Sequence, residues 1–260
     1  YLVYNNYDLI SDSNFNDNIE FGEEIELNLN IQNVGEYNAS AINVEVTSND
    51  PYISINNGNT MIAYAIAGEN ATTESPISFS ILNSVPDGHL AQFQTVLTGE
   101  EEWQFSFSVE IHSPVFEILN PTIVDENNDG VWDPGETAII SVDLYNSGSA
   151  AFSYYPGATI STDNENIEIL SGENDNTFYA IGPDEFYEGM FQVEADVLTP
   201  LNTQVDFNIS WGYSPTSECE TDCVEQANMV YSAVIGHPSM LIWDPSDLHI
   251  SGARMVEHFN

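Results

Sequence analysis

The apolar residues of this chain recur at every second position, in runs of strand length. Ile25, Leu27, Leu29 and Ile31 alternate with Glu24, Glu26, Asn28 and Asn30. Trp103, Phe105, Phe107, Val109 and Ile111 alternate with Gln104, Ser106, Ser108 and Glu110, and Val205, Phe207, Ile209, Trp211 and Tyr213 repeat the pattern further on. A period of two places alternate side chains on opposite faces of a pleated strand, so each run predicts a strand with one buried face. No segment before residue 250 carries a helical period, and Asn-Gly, Pro-Asp-Gly and Ser-Gly turns separate the runs. The pattern predicts an all-β antiparallel sandwich rather than βαβ units. The aromatic residues read as core and cross-strand pairs, with a sugar-stacking platform as the alternative.

The chain also repeats itself. DSNFNDNIEFGEEIELNLNIQNVG from Asp12 aligns without a gap on DENNDGVWDPGETAIISVDLYNSG from Asp125, an offset of 125 − 12 = 113. That offset superposes Asp12 on Asp125, Asn14 on Asn127, Asn16 on Asp129, Glu20 on Asp133, Gly22 on Gly135, Glu23 on Glu136, Asn33 on Asn146 and Gly35 on Gly148. A repeat fixes the domain count. Each unit has the size of one sandwich domain, and the expected division is 1–112, 113–236 and a tail over 237–260. The joint IHSPVFEI, from Ile111, is short and stiffened by Pro114, which predicts a semi-rigid pair. IGHPSMLI, from Ile235, mimics it. The tail then reads as a strand over Met240–Trp243 and a helix capped by Ser251 that carries Met255, Val256 and Phe259, the start of a truncated α/β-like segment.

Charge sharpens this picture. There are 42 acidic residues against one basic residue, Arg254, for a net charge of −41. At 42% apolar residues the chain is too hydrophobic for a disordered acidic tail. A field this negative repels phosphate backbones and anionic lipids, so nucleic acid and membrane-surface partners are excluded and cations are favoured. The absence of lysine removes Schiff-base chemistry, a phosphate-loop lysine and Lys-Asn isopeptide crosslinks. No apolar run reaches the length of a membrane span, and Tyr1 opens the chain with neither a start Met nor a signal peptide, as in a mature or excised piece of an exported protein. Cys219 and Cys223 lie in a polar stretch, where a local disulfide suits an oxidising compartment better than half of a metal site without a second pair.

The candidate chemistry lies in the duplicated acidic loops. Asp125, Asn127, Asp129, Gly130 and Glu136 match D-x-[DN]-x-[DN]-G-x5-E, a twelve-residue calcium loop, at every defined position. Side chains at positions 1, 3 and 5 converge on a point, the carbonyl at 7 adds an oxygen, and a bidentate Glu at 12 closes the shell. The expected ligands are Asp125, Asn127, Asp129, the Val131 carbonyl and Glu136, with Asp133 at position 9. In the first unit they are Asp12, Asn14, Asn16, the Asn18 carbonyl, Glu20 and Glu23. There Asp17 stands where the pattern has Gly, which predicts a weaker site, because Asp enters the left-handed region less readily. Each loop runs directly into an alternating strand, so the helices of an EF-hand are absent from the pattern. The competing reading is a solvated Asn/Asp turn, disfavoured because clustered carboxylates repel one another.

DENNDGVWDPGETAIISVDLYNSGSA resembles the opening of the immunoglobulin-like, cell-adhesion-related (CARDB-like) repeats of bacterial secreted and surface proteins, including those near gingipain-like peptidases and other type IX secretion cargo. The resemblance covers roughly residues 1 to 236, and VPDGHLAQFQ, from Val85, resembles a late turn of such repeats. Phe21 and Glu24 replace the proline and threonine of the D-P-G-E-T ending in the first unit. The resemblance implies two tandem immunoglobulin-like β-sandwiches, each a calcium-stabilised spacer or adhesion module of an exported protein.

No catalytic constellation emerges. The five histidines, His89, His112, His237, His249 and His258, lack ligand spacing, and no G-x-S-x-G occurs. The leading expectation is a non-catalytic calcium-binding structural or adhesive module, secreted or on the cell surface, with calcium as its ligand and surface proteins, glycans or copies of itself as possible partners. The alternatives are the accessory region of a secreted hydrolase and a subunit of an extracellular filament or layer.

Overall fold

The computed structural model describes residues 1–172, 176–213 and 222–236. Every regular element among them is a strand. In the first half these are β1 (Leu2–Ser11), β2 (Glu24–Asn33), β3 (Ala39–Thr47), β4 (Ile53–Asn57), β5 (Asn59–Ala65), β6 (Asn70–Thr72), β7 (Ile77–Ile81), β8 (His89–Thr98) and β9 (Glu102–Ile111). In the second half they are β10 (Phe116–Asp125), β11 (Thr137–Asn146), β12 (Pro156–Ser161), β13 (Ile167–Ser171), β14 (Asn176–Thr177), β15 (Phe186–Ala195), β16 (Thr203–Tyr213) and β17 (Ala227–Ile235). Among the described residues no helix is long and apolar enough to cross a membrane, which says nothing of a β-barrel.

The strands form four antiparallel sheets, two per half. The first half has the order β1-β2-β7-β4 facing β5-β3-β8-β9, with β6 added against β2. The second has β10-β11-β15-β13 facing β14-β12-β16-β17. Leaving aside the fourth strand beside β3 or β12, this is the A-B-E-D on C-F-G arrangement of immunoglobulin-type sandwiches. The all-β antiparallel expectation therefore holds, and the tail over 237–260 lies outside the described residues.

The alternation decides which face is buried. Ile25, Leu27, Leu29 and Ile31 of β2 are fully buried while the intervening residues are half-buried or exposed. Phe79 on one sheet meets Phe93 on the other with ring centroids 4.9 Å apart, and Phe93 stacks on Phe107 at 4.9 Å. In the second half Phe116 packs on Trp211 at 4.8 Å. These rings are therefore core. Each fully buried large apolar side chain contributes roughly 1.5–3 kcal/mol.

The repeated N-x-G after each second strand is structural. Asn146 is fully buried; its Nδ2 donates to the carbonyls of Ala150 (2.9 Å) and Gly182 (3.2 Å), and its Oδ1 accepts from Val115 N and Gly148 N, both at 3.0 Å. Asn33 does the same in the first half, donating to Tyr37 and Ala65 carbonyls at 2.9 Å and accepting from Gly35 N at 3.0 Å. A Cβ at Gly35 would collide with Tyr1 N, and one at Gly148 with Ser113 O and Val115 N. Only glycine lets the start of each half lie so close.

The halves meet along a bonded joint. His112 N donates to Ile19 O and Phe21 N to His112 O, both at 3.0 Å. Ser113 N donates to Asp87 Oδ1 at 2.8 Å, Ser149 Oγ donates to the same carboxylate, and His112 Nδ1 lies 2.7 Å from Ser149 Oγ. Phe21 stacks on Phe152 with centroids 6.1 Å apart. The Asp222 carboxylate accepts from Asn83 N, Ser84 N and Ser84 Oγ at 2.8, 2.9 and 2.7 Å.

Candidate metal centre

Each acidic loop leaves the end of a first strand and returns into the second, so β1–β2 and β10–β11 pairing pins both loop ends. Within the first loop, Asp12 Oδ1 accepts from Phe15 N and from Asn16 N (3.2 Å), and Oδ2 accepts from Asp17 N at 2.9 Å. Asn14 Oδ1 accepts from Asn16 N at 3.0 Å, and Asn16 Oδ1 from Asn18 N at 2.8 Å. These side chain to backbone bonds curl the chain so that positions 1, 3 and 5 point inward. The Nδ2 groups of Asn14 and Asn16 both reach Glu20 Oε2, at 2.8 and 2.9 Å, and Glu23 Oε2 accepts from Glu20 N at 2.9 Å. The structure therefore brings Asp12, Asn14, Asn16, Glu20 and Glu23 together.

The second loop follows the same plan. Asp125 accepts from Asp129 N (2.9 Å) and Gly130 N (3.1 Å), Asn127 from Asp129 N (2.8 Å), Asp129 from Val131 N (2.9 Å) and Glu136 from Asp133 N (3.0 Å). Asn127 Nδ2 donates to Glu136 Oε1 at 2.6 Å. Position 6 lies in the left-handed region in both loops, with φ of 64° at Asp17 and 86° at Gly130. Asp17 thus takes up the conformation that the pattern assigns to glycine.

The loops differ in burial. Asp12, Glu20 and Glu23 are 3%, 8% and 5% exposed, whereas only Asp125 of the second set is buried. Glu23 Oε1 has no hydrogen-bond partner. Burial pushes the Glu23 carboxyl up to about 7, and the charges of Glu20 and Asp12 add to this while the Glu20 and Asn14 N–H groups pull the other way. Among the described residues there is no lysine or arginine. A buried carboxylate oxygen without partner is costly unless a cation meets it.

Among the described residues no group of three or more His, Cys, Asp or Glu side chains sits at metal-ligand spacing. The first loop joins Asn14 and Asn16 to the Glu20 carboxylate beside Glu23, and the second joins Asn127 to Glu136, so each loop carries a mixed set of carboxylates and Asn amides. Such a set fits a hard divalent cation such as Ca²⁺, which accepts carbonyl oxygen as readily as carboxylate. The residues present fit the ion, with Glu23 as the clearest member.

Among the described residues the His89 and His112 side chains make their hydrogen bonds outside these loops, although the His112 backbone pairs with Ile19 and Phe21 of the first. His89 Nε2 meets Asp50 at 2.8 Å, and His112 belongs to the joint; His237, His249 and His258 lie outside the described residues. Cys223 is disulfide-bonded, and Cys219 lies outside the described residues. Asp222 and Asp87 carry no local signal as joint anchors, because their partners are remote in the chain. Burial would raise the Asp222 carboxyl, but the Asn83 and Ser84 N–H groups and the Ser84 hydroxyl hold it below its usual range.

No family model matches the chain, and no curated protein matches it. Among solved structures it is similar to red sea bream transglutaminase (10% identity, TM-score 0.32, covering 90% of this chain and 32% of that one). It is also similar to trypsin-activated α2-macroglobulin from Escherichia coli (9% identity, TM-score 0.32, covering 90% and 18%). A third is the secreted serine protease VesC from Vibrio cholerae (10% identity, TM-score 0.24, covering 70% and 45%). The chain thus spans from under a fifth to under half of these proteins, and likeness at this level assigns it to no family and transfers no activity.

Proposed function

We propose that the chain is a non-catalytic, calcium-binding structural or adhesive spacer of a larger extracellular or cell-surface protein. The observation that carries this reading is the buried Glu23 carboxylate, with Oε1 unpartnered, in a loop where Asn14 and Asn16 both reach the neighbouring Glu20 carboxylate. In the first loop the ion is held by Asp12, Asn14, Asn16, the Asn18 carbonyl, Glu20 and Glu23. In the second it is held by Asp125, Asn127, Asp129, the Val131 carbonyl, Asp133 and Glu136. The disulfide at Cys223 supports an oxidising compartment. Outside cells calcium is abundant, and modules there bind it at roughly 10⁻⁴ to 10⁻³ M. At a tenfold excess over the dissociation constant, each ion stabilises its unit by about 1.4 kcal/mol. That is a tuning contribution beside a total of roughly 5–15 kcal/mol.

Surface proteins, glycans or further copies of the chain are the partners this reading proposes; nucleic acid and membrane insertion are not among them. The test is a pair of thermal melts, in millimolar calcium and in chelator. The proposal expects a higher midpoint in calcium, partly lost in Glu23→Gln and in Glu136→Gln; identical melts in both conditions would refute it.

A further inference from the structure

The stretch from Asn18 to Glu23 has two faces. Asn18, Glu20 and Glu23 supply oxygens to the first loop. Between them, Ile19 and Phe21 hold the last residue of the first unit: Ile19 O accepts from His112 N and Phe21 N donates to His112 O, both at 3.0 Å. The Phe21 ring, 7% exposed, stacks on Phe152 and meets the edge of Tyr154 at 6.4 Å. An extended segment sends successive residues to opposite sides, so one short peptide serves the loop on one side and the joint on the other.

The second loop is an internal control. At the position of Ile19, Trp132 O accepts from Gly236 N at 2.7 Å, so that loop also grips the end of its own unit. At the position of Phe21 it has Pro134, which has no N–H to donate. Phe21, one of the residues by which the first unit departs from the repeat, is therefore a residue that reaches across the joint, to Phe152.

We propose that the first loop is a divalent-cation lock on the joint: an ion held by Asp12, Asn14, Asn16, Asn18, Glu20 and Glu23 fixes the Ile19–Phe21 peptide that clasps His112 and stacks on Phe152. This rests on the calcium reading given above and adds a consequence to it. With the ion bound, the two units move as one body. Without it, the crowded carboxylates repel, the Ile19–Phe21 peptide loosens, and the hydrogen bonds at His112 open more often.

The test follows residue-resolved amide exchange at His112 and Ser113 in the full chain, with calcium and with chelator, together with calorimetric calcium titration and small-angle scattering of the same samples. Leu27 and Leu29 amides, in the core, report global opening for comparison. At free calcium ten times the dissociation constant, exchange at His112 and Ser113 slows about tenfold, by more than at Leu27 and Leu29. The distribution of interatomic distances narrows at the same time. Glu136→Gln keeps this response because its loop is remote from the joint; Glu23→Gln loses it. If calorimetry shows an ion binding at the first loop while exchange and scattering stay unchanged, the lock is wrong and the calcium reading stands. If no ion binds, both are wrong. The wild-type comparison alone decides between these outcomes should a variant fail to fold.

Discussion

Asp222 and Ser84 are bound twice across the joint: the carboxylate accepts from Ser84 N at 2.9 Å and from Ser84 Oγ at 2.7 Å, although the residues are 138 apart in sequence. This contact ties the segment beside the Cys223 disulfide to the β7–β8 turn of the preceding unit.

The contact should fail in acid. The folded Asp222 carboxyl lies below its ordinary value of 3.8, so it favours the docked form when ionised. Its stabilisation is present above pH 3.8 and is lost as pH falls through the lower folded value. Urea titrations of wild type and Asp222→Asn should differ at pH 6 and converge on acidification below about pH 3.8. A difference independent of pH would show that Asp222 acts through packing alone.

Glu23→Gln should have opposite effects with and without calcium. Removing a buried unpartnered charge relieves the calcium-free protein by about 1–3 kcal/mol, which raises the midpoint of a domain this size by roughly 4 °C or more. The same change removes the gain from calcium. Scanning calorimetry in chelator and in calcium checks both signs. Glu136→Gln, whose carboxyl is less buried, should remove the second gain with little change in chelator.

Asn146→Ala should be among the most damaging changes in the second unit. It strands the Ala150 carbonyl and the Val115 and Gly148 amides, and each buried group left unpaired costs about 1–3 kcal/mol. Denaturant unfolding should show a loss of several kcal/mol, against under about 0.5 kcal/mol for an exposed control such as Asn228→Ala.

Asp17→Gly tests the strain at position 6. With φ at 64°, Asp17 occupies a region that costs a non-glycine residue on the order of 1 kcal/mol. Glycine there should raise the midpoint of the first unit by a few degrees and leave the second unchanged. An unaltered midpoint would mean that the local hydrogen bonds already compensate the strain.

Much of this molecule was legible before its structure. A period of two identified β2, β9 and β16, because one-sided burial leaves that mark on any strand. The gapless repeat located both loops, and the spacing of acids and amides named Asn14, Asn16, Glu20 and Glu23, which hydrogen bonds link in the first loop, and Asn127 and Glu136, which bond in the second. Burial was not legible. Asp17 suggested a poorer first loop, yet that loop has the more deeply buried carboxylates, since β1, β2 and the His112 segment enclose it. Nor were the joint contacts of Asp222, Asp87 and Phe21 visible: their partners lie far away in sequence, and an acidic residue in a chain with 42 of them carries no local signal. Phe21 stood out only as a departure from the repeat, and its meaning required the position of Phe152.

The central claim is that the duplicated loops are cation sites, and calorimetric titration of calcium into the chelator-treated chain tests it most directly. The account predicts heat from two sites, one abolished by Glu23→Gln and the other by Glu136→Gln. A titration without binding heat, repeated at two temperatures so that a zero enthalpy is not mistaken for absence, would contradict it.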